Sequence, residues 1–501
     1  MKIRISSRKS DLARIQAYVV GHALQTANPA LEITYTFKKS LGDIDLTTPL
    51  ARMEDKGVFT DDFRQDLLEG ATDLVVHSWK DLPTEAHAKT VIACTLPRAD
   101  ARDLFLFKKR SWDKVVEQKQ ATLFSSSPRR IYNSRPFLAW ALPAQIDDVE
   151  FKEVRGNVPT RIRKLLEHDV DGLIVAKAAL DRLLSVEEEE FRETKDEIRQ
   201  NLSECYWMIA PFSVNPCAPA QGALAIEVLR ERQDVLSVLE PISCADTFSA
   251  VSTEREILAH YGGGCHQKIG ATVLKRPYGE IRFLKGLTDG GEVLDSLKLL
   301  AKRSIPETSA DKAWPPCKNG GSFFSRTPLN PSMDDLPPNS CLWIAKADAL
   351  PTAWDVSPNQ VVWTSGIKTW KKLAQLGVWV NGTADSLGED ECPRLSTLLG
   401  EEPAWTKLTH STGYHTEGVN VVAGYELRNT ADYPNLSGKT HFFWKSGSTF
   451  LRALELYPEI TDAWHGCGPG NTFKIISGKL GSTERLQVFL DHKQWLQELV
   501  K

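Results

Sequence analysis

The sequence predicts an α/β fold, in which helices and strands alternate and pack in layers. Short apolar or alternating runs typical of strands recur along the first part of the chain, and segments with helical spacing lie between them. The run 73–77 is almost wholly apolar and leads directly into polar residues, as buried strands of layered sheets do. With 501 residues, the chain has room for roughly two to four domains.

Composition narrows the class of protein. Hydrophobic residues make up 42% of the chain and charged residues 25%, with a formal net charge of -4, so we expect a globular protein without a nucleic-acid partner. No apolar run reaches the roughly 18 residues of a membrane span, and residues 1–6 are typical of a strand rather than a leader. The nine cysteines include no CxxC pair, which favours reduced thiols in the cytoplasm and no metal site.

Elements are assigned from the period of the apolar residues. In the first part the predicted strands are 2–6, 31–37, 73–77, 121–125, 151–154 and 171–176, and the predicted helices are 10–24, 61–69 and a charged, solvated 185–201. A helical stretch from 242 towards Cys265 and strands 271–273, 280–287 and 293–302 indicate a small α+β domain. After a Pro- and Gly-rich stretch, 304–339, a Trp-rich unit has predicted strands 360–363 and 439–444 and helices 369–376, 448–456 and 482–499.

Charged residues follow several predicted strands. Lys80 and Asp81 come just after the strand 73–77, where the ligand crevice of an α/β sheet forms. Asp81 could stabilise a developing cation or move a proton, although a surface turn would use the same residues. Further hydroxyl or cationic side chains follow three later strands, and bidentate arginines there would suit a polycarboxylate ligand unless they are solvated helix faces. They are Ser126, Arg129, Arg130, Arg155, Arg161 and Arg182.

A single thiol, Cys265, follows three consecutive glycines. Glycines allow a tight turn and leave space beside the sulfur, so a bulky group could be attached there. The alternative is a buried cysteine in a Gly-rich turn.

Seven motifs together resemble hydroxymethylbilane synthase (porphobilinogen deaminase) in order and spacing, over about residues 1–305. They are Arg8–Ala13, Gly57–Thr60, His77–Pro83, Ser126–Arg130, Arg155–Arg161, Gln221–Ala223 and Gly263–Cys265.

The resemblance implies two periplasmic-binding-protein-like α/β lobes and a small α+β cofactor domain. Its domains would be lobe 1 (1–110 and 217–240), lobe 2 (111–216) and the cofactor domain (241–305), followed by a linker (306–340) and a C-terminal α/β domain (341–501). It also implies an enzyme, a cytoplasmic monomer, that joins four porphobilinogen molecules with release of ammonia, giving hydroxymethylbilane for haem biosynthesis.

Residue roles follow from the same resemblance. Cys265 would carry a covalent dipyrromethane primer through a thioether, and Asp81 would stabilise an azafulvene-type cation with Lys80 and Arg8 as further catalytic residues. The expected cofactor-binding residues are Lys80, Asp81, Ser126, Arg129, Arg130 and Arg155, and the expected substrate-binding residues are Arg8, Ser10, Lys56, Phe59, Arg161, Arg182 and Gln221. Residues 61–64, Pro128, Ala220 and Lys268 depart from the family pattern, which affects loop geometry and removes no catalytic group.

The C-terminal part looks like a shortened uroporphyrinogen-III synthase. By that resemblance, Thr369, Tyr425 and Thr472 would line a second substrate cleft. A docking or stabilising domain without catalysis is the alternative. For the whole chain, a clamshell that binds carboxylates without chemistry is the rival from another class.

Overall fold

The computed structural model describes residues 1–38, 61–263, 267–301, 305–316, 321–391, 393–413 and 419–499. The helices are α1 (Asp11–Ala27), α2 (Asp61–Leu68), α3 (Trp112–Gln118), α4 (Pro128–Ala141), α5 (Val158–Glu167), α6 (Lys177–Ser185), α7 (Arg192–Ser203), α8 (Gln233–Leu239), α9 (Ala245–His260), α10 (Ile367–Gln375), α11 (Ser396–Leu399), α12 (Gly447–Leu456), α13 (Asn471–Leu480) and α14 (His492–Leu499).

The strands form five sheets. They are β1 (Lys2–Arg8), β2 (Glu32–Lys38), β3 (Leu74–Ser78), β4 (Thr90–Cys94), β5 (Asp103–Lys108), β6 (Gln120–Phe124), β7 (Asp148–Lys152), β8 (Gly172–Ala176), β9 (Cys205–Ile209), β10 (Leu224–Leu229), β11 (Gly270–Arg276), β12 (Gly279–Leu287), β13 (Val293–Leu300), β14 (Ala313–Trp314), β15 (Phe324–Pro328), β16 (Cys341–Ile344), β17 (Val362–Thr364), β18 (Gly382–Thr383), β19 (Trp405–His410), β20 (Asn420–Asn429), β21 (His441–Trp444), β22 (Trp464–Cys467) and β23 (Leu486–Val488).

The chain divides into two compact units. The first consists of Met1–Ala139, Gln145–Lys275 and Arg282–Leu297, and the second of Trp140–Ala144, Arg276–Ile281 and Lys298–Lys501. The predicted mixed α/β class is confirmed in both, because each contains sheets with helices between their strands.

The first sheet of the N-terminal unit has the strand order β2-β1-β3-β10-β4. β1 pairs in parallel with β2 and β3, whereas β10 runs antiparallel to β3 and β4. Apolar side chains from these strands pack with α1 into one core, because every second or third residue of the strands and of the helix is apolar. The sheet therefore combines four strands from residues 2–94 with one strand, β10, from residues 224–229.

The second sheet has the order β7-β6-β8-β5-β9 and comes from one continuous stretch, 103–209. β8 and β5 are buried along their whole length, as the apolar sequence of β8 and the apolar residues 104–107 of β5 predict. β5 belongs to this sheet, although the predicted bounds placed it in lobe 1. The reason is its pairing with β8 and β9, which the apolar pattern of the strand does not reveal.

Two crossover segments, 95–102 and 210–223, connect the two sheets. α9 follows β10 and α8, and β11, β12 and β13 then form a three-stranded sheet in that order. The strands predicted at 271–273, 280–287 and 293–302 thus exist, with bounds that differ by up to three residues.

The second unit contains a six-stranded sheet, β15-β20-β19-β16-β17-β18, and a parallel four-stranded sheet, β14-β21-β22-β23. Two corrections follow. The stretch predicted as a linker, 306–340, contributes β14 and β15, whose pairing partners lie more than 90 residues away. The predicted helix 482–499 is β23 followed by α14. No helix in the described ranges has the length and apolar character needed to span a bilayer.

Candidate functional site

Charged and hydroxyl side chains gather where strands of the first two sheets meet the following helices. Lys80 and Asp81 form a short 3-10 turn with Trp79 directly after β3. Trp79 is buried and packs edge-on against Phe248, with 5.1 Å between the ring centroids, so the turn is anchored by its aromatic residue. Asp81 itself is exposed.

Lys80 lies among charges of both signs. Burial lowers the pKa of its ammonium group, Arg130 and Arg129 lower it further, and Asp81 and Asp103 act in the opposite direction. Its Nζ lies 3.4 Å from the side-chain oxygen of Gln221. Within the described residues no carboxylate pairs with it closely, so an anionic ligand would be stabilised here.

Asp103, the first residue of β5, was missing from the sequence-based site. Its carboxylate is fully buried, and five side-chain N–H groups donate to it from four residues. Arg129 Nη2 lies at 2.9 Å, Arg130 Nε and Nη2 at 3.1 and 2.8 Å, and the amides of Asn215 and Gln221 at 2.9 Å each. These donors hold the pKa of Asp103 far below its usual range against the opposing effect of burial.

We call Asp103 and its four donor residues, Arg129, Arg130, Asn215 and Gln221, the Asp103 hub. The hub changes the interpretation of three predicted site residues. Arg129 and Arg130 are 3% and 8% exposed and point into the hub, and Arg129 Nε has no hydrogen-bond partner among the described residues. Gln221 is 1% exposed, and its amide also donates to the Ala101 carbonyl at 2.7 Å. Asp103 directly follows the first crossover and Gln221 lies in the second, so the hub also connects the two crossovers.

A second buried ion pair reinforces the same place. Arg98, in the first crossover, donates to both carboxylate oxygens of Glu254 on α9, at 2.6 and 2.8 Å. Glu254 also accepts the backbone N–H groups of Ala220 and Val273, each at 2.8 Å. The Glu254 carboxylate therefore accepts four hydrogen bonds from three residues, and α9 is held against both crossovers.

Arg161 and Arg182 are cations with few anionic neighbours. Burial lowers the pKa of Arg161, helped by Arg130 and Arg155 and opposed by Asp81. Burial lowers the pKa of Arg182 to about 10, with Asp181 acting against it. Their guanidinium groups donate to the backbone oxygens of Gly156 and Gly222, both at 2.7 Å, and no carboxylate in the described chain forms a close ion pair with either.

The remaining predicted residues are placed as follows. Ser126 Oγ donates to the Val154 carbonyl at 2.8 Å and accepts the Val154 N–H at 3.0 Å, so it joins the ends of β6 and β7. Arg155 is half-buried after β7. Arg8 ends β1 and Ser10 immediately precedes α1, both half-buried. Lys56, Phe59 and Cys265 lie outside the described residues.

The electrostatic balance indicates the kind of ligand. Lys80 and Arg161 lie in the electrostatic field of Arg129, Arg130 and Arg155, and the carboxylates that act in the opposite direction on the two groups are Asp81 and Asp103. Buried cations in excess of carboxylates are stabilised by a ligand with several carboxylates. The described residues contain no group of three or more His, Cys, Asp or Glu side chains arranged to hold a metal ion.

Comparison with known proteins identifies the family. Residues 3–237 match the family model described as porphobilinogen deaminase, dipyromethane cofactor binding domain. The chain is 35% identical over 292 residues to the porphobilinogen deaminase of Syntrophomonas wolfei, covering 58% of this chain and 87% of that protein. The chain belongs to the porphobilinogen deaminase family.

Other relatives agree. The porphobilinogen deaminase of Lawsonia intracellularis is 34% identical over 308 residues, covering 61% of this chain and 90% of the relative, and that of Campylobacter hominis is 31% identical over 305 residues, covering 60% and 90%. The solved BenM effector-binding domain is 13% identical, with a TM-score of 0.25, and the match covers 52% of this chain and 94% of that chain. This likeness carries no argument about the fold or the function. As a member of the porphobilinogen deaminase family, the protein is a transferase of tetrapyrrole synthesis.

The described residues fit the cofactor that the family model names. A dipyrromethane carries several carboxylates, and the site offers buried cations in excess together with the unpartnered Nε of Arg129. The predicted attachment residue, Cys265, lies outside the described residues. The fit therefore rests on the donor set.

A second cleft, of about 600 Å³, lies within the C-terminal unit. Its lining combines cationic side chains with hydroxyls at the starts of α12 and α13. Among the lining residues are Arg326, Lys346, Lys407, His410, Tyr425, Ser446, Ser448, Thr449 and Thr472. Of the three residues predicted for a second site, Tyr425 and Thr472 belong to this lining. Thr369 does not, and its hydroxyl lies 3.5 Å from the Ala345 carbonyl.

The cations of this cleft are partly neutralised. Lys407 pairs with Glu389 and Arg326 with Asp348, both at 2.6 Å. Burial, assisted by Arg326, lowers the pKa of Lys346 to about 8, and within the described chain no carboxylate lies within ion-pair distance of its ammonium group. Burial also lowers the pKa of His410, which lies 3.4 Å from the Ser448 hydroxyl.

Proposed function

We propose that this chain is a hydroxymethylbilane synthase, which joins four porphobilinogen molecules head to tail on a covalent dipyrromethane primer and releases ammonia at each addition. The observation that carries the proposal is the excess of buried or half-buried cations (Lys80, Arg129, Arg130, Arg155 and Arg161) over the carboxylates that act on them. Each added ring brings two carboxylates, so the ligand becomes more anionic as it grows, and such surroundings stabilise it.

Asp81 is the proposed catalytic carboxylate. It is exposed, follows β3, and lies close enough to Lys80 and Arg161 to affect the pKa of both. When porphobilinogen loses ammonia, positive charge develops on the pyrrole, and a fixed carboxylate stabilises it. Lys80 and Arg8 would be further catalytic residues at the ends of neighbouring strands.

The roles in binding the cofactor and the substrate are those that the family resemblance implies. We assign Ser126, Arg129, Arg130 and Arg155 to the cofactor, and Ser10, Lys56, Phe59, Arg161, Arg182 and Gln221 to the substrate. Arg129, Arg130 and Gln221 are buried and bonded to Asp103, so they would act through orientation and charge. When bound at Cys265, the dipyrromethane supplies the pyrrole carbon to which the first new unit is joined.

The domains proposed for this activity are lobe 1, lobe 2 and the cofactor domain as predicted, with β5 transferred to lobe 2. The two lobes would be the halves of a periplasmic-binding-protein-like clamshell. Both come from the same chain, which supports a monomer as the active form. The free thiols of Cys94, Cys205, Cys217, Cys244, Cys341 and Cys467 support the cytoplasm as its compartment.

The test is intact mass together with turnover. Purified protein should carry an adduct of about two pyrrole units that is absent from Cys265→Ser, and it should release ammonia from porphobilinogen. A bare polypeptide mass without ammonia release would favour the clamshell that binds carboxylates without chemistry.

A second candidate function is closure of hydroxymethylbilane to uroporphyrinogen III by the C-terminal unit. The cleft that contains Lys346, Arg326 and Tyr425 favours it, because it offers cationic and hydroxyl groups at once. Feeding the full chain porphobilinogen and identifying the uroporphyrinogen isomer decides the matter. Type III supports a bifunctional chain, and type I alone supports a docking or stabilising unit.

A further inference from the structure

The N-terminal half of α1 contacts a charged segment from the second lobe, 188–194. The Arg14 guanidinium donates to Glu190 Oε2, and the Tyr18 hydroxyl donates to Glu190 Oε1 at 2.8 Å. One turn earlier, the Thr194 hydroxyl donates to the Asp11 carboxylate at 3.1 Å. The sequence indicated a solvated helix for this region, but three polar contacts join it to α1.

A buried aromatic residue fixes these polar contacts. Phe191 is 1% exposed, and its ring centroid lies 6.1 Å from that of Tyr18. The Arg14 guanidinium lies 4.8 Å from the Phe191 ring centroid and 5.4 Å from that of Phe37 on β2. Exposed ion pairs alone contribute little, but here the cation lies between two rings and has a defined geometry.

The opposite side of α1 contacts the turn that carries Asp81. Gln16 is 3% exposed, and its side-chain amide lies 3.0 Å from the Ser78 hydroxyl at the end of β3. Ser78 is followed by Trp79, Lys80 and Asp81. At its other end, α1 begins at Asp11, directly after Ser10 and three residues after Arg8, the last residue of β1. A shift of α1 would therefore displace both strand ends to which the proposed catalytic residues belong.

We propose that Glu190 is a positioning residue of the deaminase reaction. Through Arg14 and Tyr18 it holds α1, and α1 holds the β3 turn through Gln16. We name the contact the α1 clasp, which consists of Asp11, Arg14, Tyr18, Glu190, Phe191 and Thr194. Its role rests on the proposed function, because positioning has meaning only if Asp81 acts on porphobilinogen.

The test compares Glu190→Gln with Glu193→Gln in the full-length holoenzyme. Glu193 is exposed on the same segment, and its side chain forms no hydrogen bond or ion pair with another described residue. Losing one charged pair of this kind should raise the KM for porphobilinogen, or lower kcat, by about two- to fivefold in Glu190→Gln. The same variant should exchange backbone amides of residues 11–20 and 74–82 faster by a similar factor, while 224–229 stays unchanged.

A double-mutant cycle separates positioning from general loosening. Arg14→Gln should reproduce the effect of Glu190→Gln, and the double variant should add little to either. Wild-type kinetics in Glu190→Gln, or equal effects in Glu193→Gln, would overturn the positioning role. Unchanged amide exchange in Glu190→Gln would overturn the clasp, whether or not the wild-type protein has deaminase activity. If the wild type is inactive and exchange still changes in Glu190→Gln, the proposed function is overturned instead.

Discussion

Asp103 and Arg130 form a buried ion pair in which Nε and Nη2 of the guanidinium both donate to the same carboxylate oxygen, at 3.1 and 2.8 Å. The neighbouring Arg129 donates to the other oxygen. One carboxylate thus fixes two consecutive arginines at the start of α4, where the predicted cofactor contacts lie. The orientation of those arginines depends on a residue 26 positions earlier in the sequence.

We expect Asp103→Asn to destabilise the protein. It would leave two buried guanidinium groups without a compensating charge, and losing one partner of a buried pair lowers the free energy of unfolding by about 3–5 kcal/mol. Urea unfolding of the holoenzyme measures this. Asp113→Asn, on the exposed side of α3, is the matched control and should change stability little. A shift for Asp103→Asn no larger than that of the control would contradict the hub.

Asp81→Asn should leave stability intact and reduce turnover. The carboxylate is exposed, so its neutralisation removes little packing, but it removes a charge opposite the developing cation. Losing such stabilisation lowers kcat by roughly 10²- to 10³-fold. Initial rates of ammonia release give the result, with Glu117→Gln on the exposed face of α3 as control. Rates within a factor of two of the wild type would exclude the assigned role.

Ala220→Gly should stabilise the second crossover. Ala220 has φ +69° and is fully buried, in a region of backbone space that favours glycine. Relief of roughly 1–2 kcal/mol of strain exceeds the entropy that glycine adds to the unfolded chain, about 0.4–1 kcal/mol. The expected increase in Tm is small and measurable by calorimetry. Gly222→Ala is the opposite control, because its φ is +85° and an added Cβ would lie 2.8 Å from the Ala99 oxygen. A lower Tm for Ala220→Gly would show that the backbone there is not strained.

Stability should fall in acid through Glu227. Burial alone would raise the pKa of this carboxyl, but hydrogen bonds from His77, Thr90 and Arg64 lower it to about 2. The pKa is lowered on folding, so the contribution is present above about pH 4.5 and is lost as the pH falls towards 2. Glu227→Gln should be less stable at pH 7 and show a shallower loss between pH 5 and 3. Chemical unfolding at each pH measures the free energy of unfolding, and an equal change with pH in wild type and variant would contradict this. Glu231→Gln, at an exposed position, is the control.

Formation of uroporphyrinogen III by the C-terminal unit should depend on Lys346. Burial and Arg326 lower the pKa of its ammonium group to about 8, so its positive charge is lost as the pH rises from 7 to 9. The type III fraction made from hydroxymethylbilane should fall over that range. It should be low at every pH in Lys346→Gln and unaffected in Lys371→Gln, on the exposed face of α10. A type III fraction in Lys346→Gln that matches the wild type would remove this cleft from the reaction.

Sequence patterns located the elements that carry a local signal. The strands β1 and β3, predicted as 2–6 and 73–77, the helix α1 and the arginines after β6 and β7 follow from apolar period and motif order. Asp103 was missed because a single acidic residue before an apolar strand has no period, and its partners come from three distant segments. The Pro- and Ser-rich composition around β15 predicts a linker. The segment is a strand because it pairs with β20, about 100 residues away, and that pairing leaves no local signal.

The order in which the two sheets are completed has a consequence for biosynthesis. β10 lies between β3 and β4, so β4 has no partner in its sheet until residues 224–229 have been made. At about 5–20 residues per second, translation from residue 94 to 229 takes roughly 7 to 27 seconds, and during that time the second sheet, from 103–209, can begin to form. Until then, the edges of β3 and β4 that pair with β10 are open. We therefore expect nascent chains stalled near residue 215 to bind chaperones through β3 and β4, and chains stalled well beyond 260 to be released from them.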